Sequence, residues 1–132
     1  MMRQHGFSLV TAIFILVVLG LLGGYMVRLS GNQFSTFNQA LQGARAYQAA
    51  RAGIEWAVAR IAHGGNCADV DAQTAMSFTG LEGFNVSLSC SAETFSEADQ
   101  TPVVYHLNAL SQFGAYADAD YAAREIAVTI VK

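Results

Sequence analysis

At 132 residues the chain has room for one domain and at most one membrane segment. Apolar residues make up 53% and charged residues 13%, and the net charge of -3 is laid down unevenly. Up to His63, Arg3, Arg28, Arg45, Arg51 and Arg60 face the single acid Glu55, whereas from Gly64 onward nine acids face only Arg124 and Lys132. An acidic C-terminal half lacks the clustered Lys and Arg that phosphate backbones require, so no nucleic acid is expected as a partner.

In chain order, residues 1–6 form a short basic leader carrying Arg3 and His5. Residues 7–27 contain no charged side chain, and as a helix they are long enough to cross ~30 Å of hydrocarbon. The basic residues ahead of this run place the N-terminus in the cytoplasm and the C-terminal part outside, by the positive-inside rule. A cleaved secretory signal fits poorly, because RLSGNQF after Val27 offers no good small-residue cleavage site. An uncleaved single-pass anchor, and a chain cut ahead of the apolar run, both fit the composition. Residues 28–63 continue as an amphipathic helix without proline. Phe34, Phe37, Leu41, Ala44, Tyr47, Ala50, Ile54, Ala57, Val58 and Ile61 recur at helical spacing. Gly64-Gly65-Asn66 supplies a stop of the left-handed cap kind. An unbroken helix from Phe7 to His63 would be roughly 85 Å long, so its N-terminal half must be buried in lipid or in other subunits. Gly20, Gly23, Gly24 and Gly31 each lower helix propensity by about 1 kcal/mol, marking places to bend or to pack closely.

Residues 64–132 read as a small exported globular head with an antiparallel sheet, periplasmic once the resemblance given below is taken into account. FNVSLSCSAE (84–93), VVYHLNALSQFG (103–114) and REIAVTIVK (124–132) alternate apolar with polar residues, the period of half-buried strands. ETFSEADQTP and GAYADADYA supply the polar connections, which makes the three strands a meander with one face on the helix. The expected fold class is α+β: a long N-terminal helix, transmembrane in its first half, packed on a small C-terminal sheet. Cys67 and Cys90 form the only cysteine pair, and in an exported domain they read as a disulfide worth ~3 kcal/mol. A metal site is the poorer alternative. His5, His63 and His106 stand in no catalytic spacing, so neither an enzyme nor a cofactor is expected. The acidic pairs Asp69/Asp71 and Asp118/Asp120 match no calcium signature and read first as solvated loop charge. Trp56 reads as core. Arg45, Arg51 and Arg60 read as a solvated helix face, or as partners for the acidic head of an adjacent subunit.

The segment Gly6-Phe7-Ser8-Leu9, after a basic leader and before an apolar helix, resembles the type III signal of type IV pilins and type II secretion pseudopilins. The resemblance implies a pilin fold over the whole chain. It implies cleavage between Gly6 and Phe7 by the membrane prepilin peptidase, with N-methylation of Phe7. RAYQAARAGIEWA (45–57) looks like the helical stretch of PilX-like minor pilins, and the chain as a whole resembles the minor pilins of the mannose-sensitive haemagglutinin (MSHA) pilus. The implied partners are other minor and major pilins, the prepilin peptidase, the inner-membrane pilus assembly platform, and the membrane before assembly. The implied location is the inner membrane and then the extracellular pilus. One departure stands out: Thr11 occupies the fifth mature position, where most pilins carry a glutamate that meets the N-terminal ammonium of a neighbouring subunit. A subunit with nothing above it has no ammonium to neutralise, so Thr11 suits a minor pilin acting in initiation or at the tip. Two alternatives remain, a minor pseudopilin and a membrane-anchored periplasmic domain that binds a partner without polymerising.

Overall fold

The computed structural model describes residues 8–132; the expected cleavage site at Gly6 and Phe7 lies outside the described residues. The elements are α1 (Ser8–Ala62), α2 (Cys67–Asp71), β1 (Phe84–Thr94), β2 (Val103–Phe113) and β3 (Ala122–Val131). This is the α+β arrangement expected: a long apolar helix followed by a three-stranded antiparallel sheet in the order β1-β2-β3. The chain divides into two compact units, one up to Asn38 and one from Gln39 to Lys132, and α1 contributes to both.

The described part of the first unit is helix, and its apolar side chains are exposed, among them Ile13, Phe14, Leu16 and Leu21. By length and composition α1 is long and apolar enough to cross a membrane. Every buried residue of α1 lies in the second unit, between Gly43 and Ile61.

In that second unit, α1 and one face of the sheet share a single core. Ala46, Ala49, Ala50, Ile54, Ala57 and Ile61 meet Phe84, Val86 and Leu88 of β1 and Leu107 and Ala109 of β2. Ile126, Val128 and Ile130 of β3 pack at its margin. The registers align these in rows across the sheet, such as Leu88–Ala109–Ile126 and Cys90–Leu107–Val128, so one pleat surface is largely apolar, with Ser111 and Arg124 in the row opposite Val86. Phe84 and Phe113 stack in a tilted pair with ring centroids 5.0 Å apart.

The helical stripe read from large apolar residues is only partly the buried one. Ala50, Ile54, Ala57 and Ile61 are buried, but Phe34, Phe37, Leu41 and Tyr47 are exposed. The sheet instead closes on a lane of small residues, Gly43, Ala46, Ala49 and Gly53. Close approach is the reason: a Cβ on Gly53 would lie 2.7 Å from Val86 Cγ1 and 3.1 Å from Leu88 Cδ2. Gly53→Leu is therefore expected to cost about 1–3 kcal/mol by overpacking, and more than any gain in helix propensity. The half-buried Trp56 provides the fluorescence signal for the thermal melt that checks it.

The helix stops as the Gly-Gly-Asn triplet suggests. Gly64 has φ +90°, its N–H donates to the carbonyl of Ile61, and the Gly65 N–H reaches back to the carbonyl of Arg60 at 2.9 Å. Those two bonds make a Schellman cap. Lys132 Nζ adds a third donor, bonding the Ile61 carbonyl at 3.0 Å, so the last residue of the chain ties the sheet to the helix end. Asn66 then caps α2 in a reciprocal box: its side chain accepts from the Asp69 N–H while Asp69 accepts from the Asn66 N–H.

Among the described residues Ser111 is the one buried polar residue of the core, fully covered opposite Val86, and its hydroxyl has no hydrogen-bond partner. Burying an unmatched hydroxyl is unfavourable, so Ser111→Ala is expected to raise stability by about 1 kcal/mol. A melting temperature that falls would contradict this reading of the site.

Candidate functional site

Among the described residues singled out from sequence, the cysteines join covalently and Arg60 meets Asp69. Cys67, at the start of α2, and Cys90, in β1, form a disulfide across 23 positions of sequence. Its surroundings form a clasp. The Cys90 N–H donates to Asp71 Oδ1 at 2.7 Å, and the Leu88 N–H donates to the carbonyl of Gln73 at 2.9 Å. Met76 exchanges two backbone bonds with Val86, at 2.8 and 2.9 Å. The outer edge of β1 from Val86 to Cys90 is thus closed donor by donor by Asp71, Gln73 and Met76, in a segment with no periodicity by which to read it.

The acidic pairs serve local structure. Asp69 belongs to the α2 cap and lies 3.4 Å from Arg60, Asp71 holds β1, and Asp118 Oδ2 accepts from the Ala115 N–H at 3.1 Å. Among the described residues no three His, Cys, Asp or Glu side chains gather to hold a metal ion. The Gly80 N–H, 2.9 Å from Glu82 Oε1, holds that carboxyl below its ordinary range, helped by the N–H of Glu82 itself and by the charge of Arg45. Of the helix arginines, Arg51 pairs with Glu55 at 3.0 Å on an exposed face. Such a pair contributes at most about 0.5 kcal/mol.

The histidines lie apart. His106 is exposed on the outer face of the sheet, where its Nδ1 meets Thr129 Oγ1 at 2.9 Å, and His63 is exposed beyond the end of α1. That outer face is polar: Ser87, Ser89, Asn108 and Gln112 lie along it, with Asn108 donating to Glu125 and Gln112 donating to the Tyr121 hydroxyl.

Thr11 lies in the first turns of α1, where the backbone is already helical. Its place four residues after Phe7 is a fact of sequence, and its side chain carries no charge at any pH.

These features define a class of protein: an apolar helix able to cross a membrane, continuing into a small sheet domain stapled by a disulfide, an arrangement compatible with a pilin-like fold. Compared with protein-family models, with curated proteins and with solved structures, the chain matches none of them.

Proposed function

We propose that the chain is a minor pilin of a type IV pilus of the MSHA kind, assembling through its N-terminal hydrophobic helix and acting in initiation or at the tip. The observation that carries this reading is the contrast within α1. Its N-terminal stretch exposes side chains such as Leu9, Phe14, Leu16 and Leu21, whereas its C-terminal stretch buries one face, from Gly43 to Ile61, in the head. Burying apolar surface stabilises by about 25 cal/mol per Å², so an exposed apolar helix of this length demands a partner. Lipid meets that demand before assembly, and the helices of neighbouring pilins meet it afterwards. The sequence at Gly6-Phe7 supports the step between the two, because a cut there removes the leader and keeps the helix as an assembly element.

Thr11 supports the position at the tip. An ion buried in lipid is costly and gains from pairing, so a glutamate here would favour stacking beneath another subunit. Thr11 brings no carboxylate, and its hydroxyl is able to bond back to a carbonyl one turn earlier.

Immunogold labelling of a tagged head on isolated fibres tests the assignment. Label confined to one end of the fibre is the expected result. Label spread along the shaft would contradict the tip position, and a chain absent from fibres would favour an anchored periplasmic domain.

A further inference from the structure

Within the head, α1 presents four rows of side chains at four-residue spacing, and the sheet takes two of them. Ala46, Ala50 and Ile54 form one buried row, and Ala49, Gly53, Ala57 and Ile61 form the next. The other two bound an open groove of about 610 Å³: Ala40, Ala44, Gln48 and Ala52 in one, Gly43, Tyr47, Arg51 and Glu55 in the other. Rows at this spacing are the ridges by which helices pack, and the trough between two of them accepts a ridge from a second helix. Ala40, Gly43 and Ala44 are small enough to let another backbone come close, and the exposed ring of Tyr47 offers it apolar surface. From Ala40 to Glu55 the trough is roughly 22 Å long, a shape for a helix rather than for a small molecule, which binding sites enclose.

Charge selects the kind of helix. The arginines of α1 part company here: Arg45 acts on Glu82, and Arg60 stands 3.4 Å from Asp69. Arg51 lines the groove but is engaged by Glu55 at 3.0 Å. A further cation comes from the sheet. Arg124, at the start of β3, enters the groove over Gly43, its Nη2 3.1 Å from where a Cβ on Gly43 would stand. The missing side chain of Gly43 thus gives the guanidinium its room. Arg124 Nη1 donates to the carbonyl of Ala123, and among the described residues no carboxylate pairs with Arg124. A guanidinium carries five N–H donors, so most of them remain for a partner. In a chain half where nine acids face only Arg124 and Lys132, the groove is a positive spot on an acidic surface.

We infer that this groove is a docking surface for an α-helix of a partner protein, one that carries a carboxylate to meet Arg124. A basic helix would set its cations against Arg124, with Glu55 already spent on Arg51. An acidic helix finds a planar guanidinium suited to bidentate pairing, held in place before the partner arrives. The surface lies within the head and stands whether or not the chain is a pilin.

Peptide binding to the full chain in detergent tests it. The probe is a dye-labelled, alanine-rich helical peptide with leucines at four-residue spacing and one glutamate beside them; its twin carries glutamine instead. Fluorescence anisotropy is expected to show about tenfold tighter binding of the glutamate peptide, the gain from a charge-assisted pair. Arg124→Gln is expected to erase that preference. Ala44→Trp fills the trough and is expected to weaken both peptides. Both positions are exposed, so the circular dichroism spectra of the two variants should match that of the wild type. Equal binding of the two peptides, no binding of either, or a preference that survives Arg124→Gln would overturn the inference. Dimerisation of the full chain without peptide, lost in Ala44→Trp, would overturn the partner helix in favour of a second copy.

Discussion

Phe84→Ala is expected to lower the stability of the head by about 3–5 kcal/mol. Phe84 is 2% exposed at the start of β1, is among the largest fully buried side chains, and stacks on Phe113. Alanine leaves a cavity beneath the first pair of the β1–β2 ladder, where Phe84 is registered against Phe113. For a domain of this size each kcal/mol moves the melting temperature by ~4–8 °C, so a fall of about 15 °C or more is expected. Phe95, 46% exposed just beyond β1, is the control: Phe95→Ala should stay within ~0.5 kcal/mol. Similar melting shifts for the two variants would mean that the core does not centre on the helix–sheet interface.

Removing the disulfide is the second large effect. The paired change Cys67→Ser and Cys90→Ser releases a loop of 23 positions and is expected to cost about 3 kcal/mol on the chain-entropy account. The loss has a location. The bond pins residues 67–76 along β1, and without it the hydrogen bonds of Asp71, Gln73 and Met76, together with the buried Val70, hold that segment. Hydrogen exchange at the Leu88 and Cys90 amides should therefore accelerate more than at the amides of β2. A variant that melts with the wild type, with unchanged exchange in β1, would show the staple to be redundant.

The elements that sequence made legible are those with a period. β1, β2 and β3 alternate cleanly, and two polar connections leave a meander as the simple topology. The helix stop was legible because left-handed backbone at Gly64 demands a residue without a side chain. α2 was not: a five-residue helix fixed by a side-chain box at Asn66 and Asp69 has too few residues to show a period. The buried lane of α1 was also hidden. Large side chains draw attention to Phe34, Phe37 and Leu41, whereas the sheet packs where side chains are smallest. Of the candidate site residues, the cysteine pair could be read because only two cysteines exist. The meaning of Thr11 could not be read from its own chemistry. It depends on what the next subunit offers, and no period or cap encodes that.

The central claim is that the apolar helix is kept after the leader is removed, and the mass of the N-terminal peptide tests it most directly. The peptide would be recovered from cells with and without prepilin peptidase. The account predicts a peptide beginning at N-methylated Phe7 that disappears when the peptidase is deleted. A start at Met1 or Met2 in both strains would contradict it and leave an anchored domain that does not polymerise.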